Sequence, residues 1–138
     1  MYSSILIPVA LDHEELVGKK IDAARKVMNP GGKITLVTVL EQIPGFAAEF
    51  VTVKPENHLT TKVKERLDAL AAGADDIECH VTEGKPGVRI SEVAGDLGSD
   101  LIIVGAHNPS AMDYFLGSTA ARVARRAPCS VLIVRPGS

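Results

Sequence analysis

Gly105 closes a run of four apolar residues, Leu101 to Val104, and a short loop later Gly117-Ser118-Thr119 opens a segment rich in alanine and valine. The run reads as a strand covered on both faces, and the segment as the start of a helix. A strand that ends in glycine and hands over to a helix N-terminus suits phosphate, because unpaired amides and the helix dipole both favour negative charge. Gly105, Gly117, Ser118 and Thr119 are therefore candidates for a backbone phosphate cradle. The competing reading is a tight turn followed by a helix cap. Between them lie His107 and Asn108; His107 either donates to a phosphate or is a solvated loop histidine. The familiar phosphate loops are missing. Ala10-Leu11-Asp12-His13, after the first apolar run, contains no glycine, and no G-x-x-x-x-G-K-[ST] occurs in the chain.

These residues need elements to position them. Ile5 to Val9 is a wholly apolar run with Pro8 where the ladder finishes, hence a first central strand. Val17, Ile21, Ala24 and Met28 then fall on one helical face, entered through an Asp12-x-x-Glu15 capping-box pattern and stopped by Asn29-Pro30-Gly31-Gly32. Asp12 is thus a helix cap or a ligand to a ribose. Ile34 to Leu40 is a second inner strand. Leu59, Val63, Leu67 and Leu70 mark a second helix ending at Gly73. Ile77 to Glu83 alternates apolar with polar, which places one face in water and the strand at a sheet edge. A third helix carries Ile90, Val93, Ala94 and Leu97 and stops at Gly98; a fourth buries Ala120, Ala121, Val123 and Ala124 and stops before Pro128. Val131 to Val134 is the last strand. Five strands alternating with four helices predict a three-layer α/β sandwich with right-handed crossovers. The stretch from Glu41 to Pro55 breaks the rhythm. Its Phe46, Phe50, Val51 and Val53 are too apolar for a solvated loop, so they form a flap over a ligand or pack onto the domain or a sister subunit.

With 138 residues, 46% hydrophobic and 23% charged, the chain suits one domain, residues 1–138, with a full core. A net charge of −2 implies neither a nucleic-acid groove nor an anionic membrane surface. Cys79 and Cys129 sit in apolar runs without metal-ligand spacing and read as packing thiols of a reducing compartment. His13, His58 and His80 are scattered, so a metal built into the protein is not expected. The N-terminus lacks a basic region and a cleavage site, and no run nears about 18 apolar residues. A cytoplasmic location is expected.

Ligands of open parallel sheets sit beyond the C-terminal ends of the strands, which selects the turns after strands one, two and four. There the sequence resembles the universal stress protein family. The likeness rests on Ile-Leu-Ile-Pro-Val at the N-terminus, Gly105-x-His107-x at a strand end, Leu-Gly117-Ser118-x-Ala before an Ala/Val helix, and Pro-Cys-Ser-Val-Leu-Ile-Val-Arg at the C-terminus. The resemblance spans the chain and implies a five-stranded parallel sheet of order 3-2-1-4-5, an adenine-nucleotide-binding, Rossmann-like fold. Binding members carry G-x2-G-x9-G-[ST] after strand four. Here Asn108-Pro109 stands at the second glycine and the loop is shortened, as in the F-type bacterial subgroup, which includes ATP binders. Binding members also have an aspartate near the adenosine where this chain has Ala10; its nearest carboxylate is Asp12.

What the resemblance implies is an ATP-binding regulator or stress sensor, with ATP or AMP held by Pro8, Val9, Ala10, Asp12, Val39, Val104, Gly105, His107, Asn108, Gly117, Ser118 and Thr119. Val39 and Val104 match positions that flank the adenine. Magnesium would arrive with the nucleotide phosphates. No Ser-His-Asp order, reactive-cysteine setting or phosphate-loop lysine is present, so catalysis is not required. The alternatives are an interaction module that kept the fold without the ligand, and a slow phosphohydrolase. A homodimer is expected through Val131 to Val134, a flat apolar strand that the family order puts at a sheet edge.

Overall fold

A computed structural model describes residues 1–10, 16–41, 55–106 and 117–135. The strands are β1 (Tyr2–Pro8), β2 (Met28–Leu40), β3 (Ile77–Glu83), β4 (Leu101–Gly105) and β5 (Ser130–Val134). They form one parallel sheet of order β3-β2-β1-β4-β5. Between them run α1 (Val17–Val27), α2 (Pro55–Ala71), α3 (Pro86–Leu97) and α4 (Ser118–Arg126).

Alternation along the central strands sends successive side chains to opposite faces, and both faces are covered. Ile5 and Ile7 of β1, Ile34 and Leu36 of β2, and Leu101 and Ile103 of β4 pack with Val17 and Ala24 of α1 and Val63 and Leu67 of α2. Leu6, Val37, Ile102 and Val104 point the other way, onto Ile90, Val93 and Ala94 of α3 and Ala120 and Val123 of α4. Hence the three layers. α3 and α4 lie close because Gly87 has no side chain: a Cβ there would stand 2.8 Å from Arg122 Cδ. β3 is an edge strand whose half-buried and exposed residues alternate from Ile77 to Val81, with water on one face; Thr82 is half-buried, its hydroxyl accepting from Arg89 Nε at 2.9 Å.

Several boundaries differ from the sequence expectations. α1 begins at Val17 behind Leu16, with no side-chain cap hydrogen bond at that position. Asp12, His13 and Glu15 lie outside the described residues. The Asn29-Pro30-Gly31-Gly32 signal does not separate helix from strand: Met28 already pairs with Tyr2, and the chain bulges until Lys33 pairs with Ser4. Gly31 takes φ +81°, which a residue with a side chain rarely adopts. Met28 therefore belongs to β2, and its place in the buried stripe of α1 is taken by Lys20, beside Val17 and Ala24. Leu97 is 39% exposed rather than buried, and Ala124 is exposed on α4. α3 stops where expected, with Gly98 left-handed at φ +66° and its N–H on the Gly95 carbonyl. Phe46, Phe50, Val51 and Val53, and the side chains of His58 and Leu59, lie outside the described residues.

Candidate functional site

The strand order reverses between β1 and β4, since β1 is followed across the sheet by β2 on one side and β4 on the other. At such a point the helices leave to opposite faces and the strand ends are left uncovered. A cleft of about 820 Å³ opens there, within the roughly 300–1,000 Å³ usual for small-molecule sites.

Its floor comes from the ends of three strands. The Val9 N–H donates to the Val37 carbonyl at 2.7 Å, and the buried Thr38 hydroxyl donates to the Val9 carbonyl at 3.0 Å. These two bonds hold the end of β1 against β2. Val39 and Val104 flank β1 on the face covered by α3 and α4. On the far side the Ala106 N–H donates to the Val134 carbonyl at 2.9 Å, continuing the β4 ladder one residue past Gly105.

One wall is the N-terminus of α4. Gly117 is the N-cap, its carbonyl accepts from the Ala121 N–H at 2.9 Å, and no side chain caps the helix. The amides of the first turn therefore have no acceptor in the helix and face the end of the cleft where negative charge is favoured. A Cβ at Gly117 would meet nothing within 4 Å. Gly105 differs: a Cβ there would stand 2.9 Å from Leu16 Cδ1 and 3.3 Å from Lys20 Cε. Glycine at 105 makes room for α1.

Pro8, Val9, Ala10, Val39, Val104, Gly105, Gly117, Ser118 and Thr119 all line this one cleft. Asp12, His107 and Asn108 lie outside the described residues. Ala10 is exposed at the rim and carries no polar side chain. Sequence reasoning missed Lys20, whose Nζ donates to the Pro8 carbonyl at 3.1 Å in the same cleft. Burial lowers its amine from the usual 10.5 to about 8. The available signal was its spacing, three residues after Val17 and four before Ala24. Among the described lining residues Lys20 and Glu41 carry the charges. Both cysteines are free and half-buried; burial and the Asp68 carboxylate push the Cys79 thiol up to about 11, so it stays protonated.

A doubly wound parallel α/β protein with its cleft at the switch point is the class that fold and site define. The comparisons narrow it. The model of the universal stress protein family matches residues 1–135, and the chain belongs to that family. Universal stress protein G of Shigella flexneri is 33% identical over 98% of this chain and 100% of its own length. Universal stress protein A homolog 2 of Coxiella burnetii is 32% identical over 97% and 95%. A universal stress protein solved in complex with cAMP is 27% identical, with a TM-score of 0.64 over 96% of this chain and 97% of that one. UspA from Lactobacillus plantarum shares the fold, with a TM-score of 0.69 over 97% and 98% at 23% identity. No described helix is long and apolar enough to cross a membrane.

Proposed function

We propose that this protein binds an adenine nucleotide, ATP or AMP, in the switch-point cleft and acts as a nucleotide-dependent sensor or regulator of the stress response. The observation that carries the reading is the uncapped N-terminus of α4 opening onto a cleft that also has an apolar floor at Val39 and Val104. Such a cleft pairs anion-seeking amides with surfaces suited to a flat heterocycle. The relative solved with cAMP supports the ligand class, since cAMP joins adenosine to a phosphate.

In this reading the first-turn amides at Gly117, Ser118 and Thr119 take the phosphate and Val39 and Val104 pack against the adenine. Asp12, His107 and Asn108 complete the set. Magnesium, held through the phosphates, would neutralise part of their charge. The described ionisable side chains of the cleft are Lys20, bonded to the Pro8 carbonyl, and Glu41, exposed on the rim; the action assigned is binding, with slow hydrolysis the enzymatic alternative. Ala10 favours the second reading, an interaction module without nucleotide, because the rim has no carboxylate there for a ribose.

Mass spectrometry of the freshly purified, denatured protein tests this directly. Recovered ATP or AMP in near-stoichiometric amount is the expected result. Protein that carries none and takes up none in calorimetry would leave the interaction module standing. Phosphate release proportional to protein concentration would identify the hydrolase instead.

The partner in this reading is a second copy. β5 is an edge strand whose Leu132 and Ile133 are 36% and 37% exposed on opposite faces, an apolar edge of the sort that monomers blunt. Pairing β5 with its two-fold mate would satisfy its outer N–H and C=O groups. A cytoplasmic setting accords with this reading, since its reducing milieu keeps Cys79 and Cys129 as thiols.

A further inference from the structure

Lys20 is only 6% exposed, yet it sits in a cleft rather than in the core proper. Its ammonium has three donors, and the described contact uses one, on the neutral carbonyl of Pro8. A buried cation without a counter-charge is costly, so such groups are normally paired. Among the described residues, the elements around it offer no pairing carboxylate. β1 and β4 contribute Pro8 and Gly105, α4 contributes serine and threonine, and Glu41, beyond the end of β2, is exposed on the rim. Within its own helix, Lys19 and Asp22 are the nearest charges along the chain, and neither contributes to its perturbation, which burial alone accounts for. Asp12, His13, Glu14 and Glu15 lie outside the described residues. Gly105 lies directly beside this side chain: a Cβ there would stand 3.3 Å from Lys20 Cε and 3.7 Å from Nζ.

We infer that Lys20 is the anion contact of this cleft, its ammonium reaching from beneath Pro8 and Gly105 to a phosphate group of the ligand. The inference rests on the nucleotide reading above and deepens it, adding a side-chain cation from the α1 face to the amides of α4 on the other. Ligand charge would then be recognised from both sides of the sheet. A phosphorylated ligand is preferred over its nucleoside for that reason, since a nucleoside brings nothing to offset the amine.

Two measurements on the full chain test it. In calorimetry with ATP, adenosine and inorganic tripolyphosphate, Lys20→Met should weaken ATP about tenfold or more and leave adenosine unchanged within about twofold. In spectra of protein carrying 13C-labelled lysine, the Lys20 Cε signal, assigned by its loss in Lys20→Met, should titrate about one unit higher or more with ATP or tripolyphosphate and stay in place with adenosine. The second measurement needs only the wild-type fold. ATP that binds wild type and variant alike, or that leaves the Lys20 titration unmoved, overturns the inference while the nucleotide reading stands. Tripolyphosphate that shifts Lys20 in a protein indifferent to ATP and adenosine sustains the anion contact and overturns the adenine reading. No binding of any of the three overturns both.

Discussion

Lys20 Nζ donates to the Pro8 carbonyl across 3.1 Å, tying the first turn of α1 to the last residue of β1 at the floor of the cleft. Because burial holds the amine near 8 against the usual 10.5, the unfolded chain binds the proton more tightly than the folded one. Stability contributed by this group is therefore lowest below pH 8 and rises as pH climbs from 8 to 10.5. The shift corresponds to about 3 kcal/mol at neutral pH, less about 1 kcal/mol for the hydrogen bond that replacement removes. Lys20→Met should be more stable than wild type at pH 7 by roughly 2 kcal/mol, and the gap should close towards pH 10.5. Denaturant titrations at several pH values measure it. Parallel curves for the two proteins would show that the buried amine does not govern this slope.

Gly117→Asp should fold and lose the nucleotide. The backbone there, φ −57°, suits any residue, and a Cβ finds open space. The carboxylate would cap α4 with its own charge, worth a few tenths of a kcal/mol over glycine, and occupy the amides that the phosphate needs. Loss of charge-assisted bonds of about 1.5–3 kcal/mol each predicts at least a tenfold weaker complex. A melting temperature equal to wild type with undiminished ATP affinity would move the phosphate elsewhere.

Ala10→Asp should strengthen ATP binding by about 1 kcal/mol or more. Ala10 is exposed at the rim, so a carboxylate there remains hydrated in the free protein and can accept from ribose hydroxyls in the complex. Calorimetry with ATP compares the two. An affinity that stays the same or falls would show that position 10 does not limit binding.

Leu132→Lys should convert a dimer into a monomer. Leu132 pairs in register with Ile103 on its inner side, and on its outer side no described strand pairs with it. A charge carried on each of two facing strands disfavours their pairing, while a residue already 36% exposed accepts lysine with little loss of fold stability. Sedimentation at micromolar concentration decides between outcomes. A monomeric wild type refutes the dimer, and a dimer indifferent to the substitution places the interface elsewhere.

Much of the fold was legible because its signals are local. Ile77 to Glu83 alternates so regularly that its boundaries and its edge position followed from the residues, and Leu101 to Val104 announced a strand covered on both faces. Gly98 could be read as the stop of α3 because few other residues accept its left-handed backbone. Strand order was not among these readings; it came through the resemblance, since periodicity says which face is buried and never which strand lies alongside.

By itself the sequence determined the five strands and four helices found among the described residues and a helix start at Gly117, all properties of short windows in which side-chain spacing and backbone preference decide. Tertiary structure decided the rest. Met28 belongs to β2 because Tyr2, far away in the chain, pairs with it. Pro8, Val39, Val104 and Ser118 meet in one cleft because the sheet reverses between β1 and β4. Lys20 takes a buried place in the stripe of α1 because Gly105 on a distant strand leaves room for it. A lysine between Val17 and Ala24 reads as solvated until that neighbour is known, for the environment of a charge is set by what packs across from it and not by the residues beside it in sequence.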